Sequence, residues 1–242
     1  MRVSRIYTDQ PLAERREIEL DPRAARHVQQ VLRLRPGQAL TLFNGDGRDW
    51  QAEITRSDRR GTYARTTGLL GEEGPPRLEV HLGIGISRGE RMDFAIQKSV
   101  ELGVTAITPL RTERTVVQLD GDRAARRFAH WQGIAIAACE QCGRRRLPAV
   151  NPIGGLAGWI ASCGSGLLLD HQARQSLATA PRPDEPVNLL VGPEGGLAAG
   201  ERAQAVEAGF LAVRLGPRVL RTETAPLAAL STIQALWGDF RD

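Results

Sequence analysis

Hydrophobic and polar positions follow two different rhythms along this chain. In the first part apolar residues alternate with polar ones over short runs, RIYTD, LTLFNGDGRDW, AEITRSD and TYARTTGLL. That is the period-two pattern of half-buried strands. Turn signals separate the runs, at Pro36-Gly37 and at Asn44-Gly45-Asp46-Gly47. One helical piece, DPRAARHVQQVLR, interrupts them, with Asp21 placed to cap it and Pro22 at its first position. These elements predict a small β-barrel. Gly74-Pro75-Pro76 then breaks the pattern, dividing the chain into domains 1–73 and 74–242.

Beyond that break strands alternate with helices. LEVHLGIGIS reads as a strand, and 91–102 as an amphipathic helix with Met92, Ala95, Ile96 and Ser99 on one face. AITPLRT, GLLLDH, NLLVG and LAVRLG are further strands, and 123–142, 199–208 and 227–237 further helices. This rhythm predicts an α/β fold with a parallel sheet.

Composition narrows the class. With 41% hydrophobic and 25% charged residues in 242, the chain has the balance of a soluble globular protein. No run approaches the roughly 20 apolar residues of a membrane span, and the first residues lack the apolar stretch of a secretory leader, so a cytoplasmic protein without a membrane partner is expected. The formal net charge is +4, and Lys98 is the sole lysine. Arginine presents a planar fork suited to phosphates and base edges, and Arg144, Arg145 and Arg146, like Arg56, Arg59 and Arg60, form clusters that suit a phosphate-binding surface. A GC-rich coding sequence would give the same arginine bias. Three cysteines make no disulfide framework. Cys139 and Cys142 form a C-x-x-C at the end of a helical run. A redox pair sits at a helix N-terminus and a zinc site needs about four ligands, so helix-end packing without metal is expected.

Candidate chemistry lies at three strand ends. GLLLDH ends in Asp170-His171, NLLVG runs into a loop carrying Gly192, Gly195 and Gly196, and LAVRLG runs into Leu215-Gly216-Pro217. Ligands of parallel sheets sit beyond the carboxyl ends of strands, and glycine lets the backbone approach them. The first glycine loop lacks the Gly-Lys-Ser/Thr of a P-loop, and Gly83, Gly85 and Gly89 are spaced one residue too far apart for a dinucleotide fingerprint. In LGPRVLRTETAPLAAL, Arg221 and Glu223 are two residues apart and would point the same way on an extended backbone. They are either a local ion pair tying strand to helix or a catalytic pair.

Together these motifs resemble the bacterial 16S ribosomal RNA uridine-N3 methyltransferases of the SPOUT superfamily. The resemblance rests on HVQQVLR, RPGQ and FNGDG, then SRGERMDFAIQKSVELGVTAITPL, AIAACEQCGR, LLVGPEGG and LGPRVLRTETA, in that order along nearly the whole chain. It implies a PUA-like RNA-binding barrel followed by an α/β-knot domain whose C-terminal segment forms a trefoil knot, and a homodimer. It implies S-adenosyl-L-methionine as cofactor, held by Leu190, Gly192, Glu194, Gly195, Gly196, Leu215, Gly216, Leu220 and Thr222. The partner is 16S ribosomal RNA or the small ribosomal subunit. Arg5, His27, Arg33, Arg88 and Arg144 fall within the motifs and are candidates for RNA contact. Two departures stand out. Leu197-Ala198-Ala199 replaces a serine that often caps the next helix, and Pro226 stands where alanine is frequent.

The implied reaction moves a methyl group from a sulfonium to N3 of uracil. N3 must lose its proton, and the negative charge then spreads to the flanking carbonyl oxygens. Arg221 would stabilise that charge. Glu223 would act as base, orient Arg221, or bind cofactor; a carboxylate is a weak base near neutrality and needs burial to serve. Two other readings remain open from the residues, a non-enzymatic ribosomal RNA-binding factor and an enzyme acting on transfer RNA. The glycine loops argue against the first, and the barrel preceding the second domain against the other.

Overall fold

In the computed structural model, residues 3–117 and 119–241 are described. Their contacts define two compact units, one running to Pro75 and taking in Ile136–Leu147, the other from Pro76 to Ala135 and from Pro148 onward.

The first unit contains β1 (Arg5–Tyr7), β2 (Glu17–Glu19), α1 (Pro22–Arg26), β3 (Ala39–Phe43), β4 (Arg48–Asp58) and β5 (Gly61–Glu72). They form a five-stranded sheet in the order β1-β3-β4-β5-β2. Only the β1–β3 pairing is parallel within this sheet. Among the described residues the hydrogen-bonded path ends at β1 and β2 rather than closing into a ring of strands. Alternate residues of every strand reach one core, with Ile6, Ile18, Leu40, Leu42, Ile54 and Ala64 all buried. Each large side chain buried there contributes about 1.5–3 kcal/mol. Asp21 caps α1, its Oδ1 accepting from the backbone N–H of Arg23 at 2.8 Å and of Ala24 at 3.1 Å. The helix then loosens into a π-helical stretch, His27–Leu32, and ends at Arg33, whose φ of 53° is left-handed.

In the second unit the chain runs through β6 (Val80–Gly85), α2 (Glu90–Glu101), β7 (Ala106–Arg111), α3 (Gly121–Cys142), β8 (Ala149–Val150), β9 (Gly154–Gly155), α4 (Leu156–Cys163), β10 (Gly166–Leu169), β11 (Gln175–Ser176), β12 (Val187–Val191), α5 (Ala199–Glu207), β13 (Phe210–Arg214) and α6 (Ala225–Trp237). The last turns of α3 lie in the first unit. The strands form a parallel sheet in the order β11-β13-β10-β12-β6-β7-β8, with β9 also on β7. The inner strands β6, β10 and β12 are nearly all buried, as expected of strands covered on both faces. Met92, Ala95, Ile96 and Ser99 of α2 are buried, as the periodicity predicts. Asp93, on the same helix, accepts from the indole of Trp131 at 3.2 Å and pairs with His130 at 2.8 Å, tying α2 to α3. No helix of the described residues is long and apolar enough to cross a membrane.

The order of strands matters for the site. From β6 and β7 the chain moves to one edge, returns through α4 to β10, and only later inserts β12 between β10 and β6. Connections therefore leave neighbouring strands in different directions, which opens a crevice at the carboxyl end of the sheet.

Candidate active site

A cavity of about 510 Å³ lies in that crevice, within the usual range for small-molecule sites. Its walls come from three strand ends: Leu169 to His171 after β10, Val191 to Leu197 after β12, and Val213 to Leu215 after β13. Arg218 to Glu223 and Ala225 close it, with Arg91, Arg114 and Arg202 at the sides.

The glycine loop after β12 is a tight turn, closed by the Gly196 N–H donating to the Pro193 carbonyl at 2.8 Å. Gly196 has a φ of 67°, a region that favours glycine. Pro193 lies so close to β6 that a Cβ at Gly85 would stand 2.4 Å from it. Glu194 anchors the turn: its Oε1 accepts from the Arg88 backbone N–H at 3.0 Å and from the Arg91 guanidinium at 3.3 Å. Burial pushes the Glu194 carboxyl up, but hydrogen bonds from the Arg88 and Glu194 backbone and from Arg91 outweigh it and hold the group below its ordinary value. Arg114 donates to the Gly195 carbonyl at 2.9 Å. At the head of α5, Ala198 supplies no side-chain cap. Glu201 instead accepts from the Ala198 N–H at 2.8 Å and, through its other oxygen, from the Glu113 N–H at 2.8 Å.

The second loop is pinned by hydroxyls. Thr222 donates to the Gly192 carbonyl at 3.0 Å and lies 3.2 Å from the buried Ser87 hydroxyl. The backbone here is not extended. The Arg221 carbonyl accepts from both Thr224 and Ala225 at 2.9 Å, a turn that launches α6 with Pro226 in its first turn. The simple alternation expected for Arg221 and Glu223 therefore fails. Arg221 is exposed and Glu223 half-buried, yet both line the cavity. Oε2 of Glu223 is buried and accepts no hydrogen bond. Leaving such an acceptor unsatisfied costs about 1–3 kcal/mol.

Of the residues expected to hold the cofactor, Gly192, Glu194, Gly195, Gly196, Leu215, Leu220 and Thr222 line the cavity. Leu190 does not. It is fully buried in β12, packed with Leu168 and Leu197 in the core beneath the loop. Gly216 lies between lining residues and makes the turn after β13 with a φ of 101°. Seven ionisable lining residues were not among those expected at the pocket: Arg91, Arg114, Asp170, His171, Arg202, Arg214 and Arg218. Asp170-His171 was visible as a strand end, and Arg218 sits inside the LGPRVLRTETA run.

The expected RNA-contacting residues divide. Arg5 is withdrawn into the first unit: its guanidinium donates to Asp49 at 2.7 Å and to the Cys139 and Arg144 carbonyls, and lies 4.4 Å from the centre of the Phe43 ring. Those bonds and a side-chain exposure of only 10% leave it to brace the fold. Arg33 and Arg88 are exposed, while His27 and Arg144 are half-buried. The arginine cluster 144–146 is also largely engaged. Arg145 pairs with Asp49 at 3.0 Å, and Arg146 donates to the Glu73 and Gly74 carbonyls. Cys139 is fully buried, and burial pushes its thiol up to about 12, as fits helix-end packing.

Residues 74–234 match the family of RNA methyltransferase domains, and residues 20–65 match the PUA domain of RNA methyltransferases. The ribosomal RNA small subunit methyltransferase E of Buchnera aphidicola is 30% identical, over 99% of this chain and 96% of the relative. The crystal structure of a ribosomal RNA small subunit methyltransferase E from Neisseria gonorrhoeae, bound to S-adenosyl methionine, is 43% identical with a TM-score of 0.93, over 99% of this chain and 100% of that one. A methyltransferase from Legionella pneumophila in complex with the bound cofactor SAM is 40% identical with a TM-score of 0.92, over 98% of both chains. The chain belongs to the RNA methyltransferase family that includes ribosomal RNA small subunit methyltransferase E.

Proposed function

We propose that this protein is an S-adenosylmethionine-dependent enzyme that methylates N3 of a specific uridine in 16S ribosomal RNA. It acts as a cytoplasmic homodimer of the SPOUT class, on the RNA itself or on the small subunit. The observation that carries the reading is the cavity that the glycine loop, Arg221 and Glu223 line together. The donor set suits the cofactor. Val191, Leu197, Val213, Leu215 and Leu220 supply apolar surface for an adenine ring, and the loop 192–196 supplies backbone groups for its polar edge. Bound there, S-adenosylmethionine supplies an electrophilic methyl group.

The protein's part is to prepare the nucleophile. Glu223 accepts the N3 proton on its carboxylate, and Arg221 donates to the carbonyl oxygen on which the uracil charge develops. Confinement within the cavity supplies the orientation. A trefoil knot belongs to this proposal. In its favour, the chain leaves β13 at one side of the sheet, crosses to fasten Thr222 between Gly192 and Ser87, and continues into α6, whose Gln234 donates to the Leu102 carbonyl at the end of α2. The test is to incubate the protein with methyl-labelled S-adenosylmethionine and small subunits from cells lacking the gene, then digest the RNA and identify the labelled nucleoside. The expected product is 3-methyluridine; label on a ribose, on another base, or nowhere would overturn the assignment.

A further inference from the structure

Charge around the cavity is unbalanced. Arg91, Arg114, Arg202, Arg214, Arg218 and Arg221 line it against three carboxylates, Asp170, Glu194 and Glu223. Three of the arginines have structural duties: Arg91 pairs with Glu194 at 3.3 Å, Arg114 donates to the Gly195 carbonyl, and Arg202 pairs with Asp170 at 3.8 Å. Arg214 and Arg218 have none. Both are exposed, at the end of β13 and in the loop that follows, and neither has an ion-pair partner among the described residues.

This surplus is poorly explained by the cofactor. S-adenosylmethionine carries a sulfonium and an ammonium against a single carboxylate, so it is itself a net cation, and uncompensated guanidinium groups oppose its entry. They favour a polyanion. A base presented to an enclosed site must leave its stack, which brings the phosphates on either side of it to the mouth of the cavity. Arginine is the side chain suited to hold them.

We infer that Arg214 and Arg218 form the phosphate-contacting rim of the active site, holding the RNA backbone on either side of the target nucleotide. The inference rests on the reading of the chain as an RNA methyltransferase, and it moves the principal phosphate contact away from the cluster 144–146, whose Arg145 and Arg146 are tied into the first unit. The two residues touch RNA and not the reacting atoms, so they are positioning residues.

The experiment is filter binding of a 16S RNA transcript by the full-length protein across potassium chloride concentration, for the wild type, Arg214→Ala, Arg218→Ala and the double variant. Arg126→Ala serves as control, an exposed arginine of α3 outside the cavity whose loss changes net charge equally. Each rim substitution is expected to flatten the log–log salt slope by about 0.7–0.9, and the double variant by about twice that, while the control leaves it unchanged. Affinity for S-adenosylmethionine, read by calorimetry, stays within about two-fold. Unchanged slopes, an equal change with Arg126→Ala, or a loss that appears in cofactor affinity instead would each overturn the inference. Methyl transfer by the wild type is measured on the same RNA. It is measured as well on small subunits from cells lacking the gene; if it fails on both, the enzymatic reading falls while the slopes still test the rim.

Discussion

Glu223 and Arg221 both line the cavity, one carboxylate oxygen of Glu223 is buried without a hydrogen-bond partner, and no ion pair joins the two among the described residues. The two side chains are therefore available for separate tasks, and substitution separates them. Arg221→Ala is expected to slow single-turnover methyl transfer by about 100- to 1,000-fold, the usual cost of one donor at a developing charge, with cofactor affinity within a few-fold. Glu223→Gln keeps the shape and removes the base. Its deficit should be largest at low pH and shrink at high pH, where uracil ionises unaided; a deficit equal at every pH would assign Glu223 to orientation alone. At this scale the sequence is least explicit. Arg5, Arg145 and Arg218 are the same residue type in plausible motifs, but the first two are consumed by Asp49, while the third has no ion-pair partner among the described residues. Packing makes that difference, and no local pattern encodes it.

Among elements, the glycine loop after β12 depends on one carboxylate, Glu194, held below its ordinary value by the Arg88 backbone and Arg91. A group with a depressed folded-state value stabilises the fold above its unfolded value, and that contribution disappears as pH falls through the folded one. Thermal unfolding of wild type and Glu194→Gln should differ near neutrality and converge in acid; a difference independent of pH would deny the anchor. The main strands and helices of the second unit were legible because buried strands and amphipathic helices write strong periods. The missed elements write none. β8, β9 and β11 are two residues long, and β2 reads Glu-Ile-Glu with one buried position. α4 spans only eight residues, with Gly158 inside it. The turn at 221–225 was hidden because its bonds come from backbone rather than from any side-chain signature.

For the molecule as a whole, the break at Gly74-Pro75-Pro76 lies where the first unit hands over to the second, but composition gave no sign that Ile136–Leu147 joins the first. In that segment Cys139 is fully buried, its carbonyl accepts from Arg5, and Glu140 pairs with Arg23 at 3.0 Å. A fragment starting at residue 76 strips those partners away. It should unfold at lower temperature than the full chain and form species larger than a dimer in size-exclusion chromatography; a fragment no larger than a dimer and of undiminished stability would contradict this. The proposed knot and dimer are not spelled out by strand and helix patterns, and they rest on family resemblance. The central claim is chemical, that the cavity methylates N3 of a uridine in 16S RNA, and mass mapping of 16S RNA from cells lacking the gene tests it most directly. One 3-methyluridine should be missing, return with the wild-type gene, and stay missing with Arg221→Ala; its presence in the deleted strain would contradict the account.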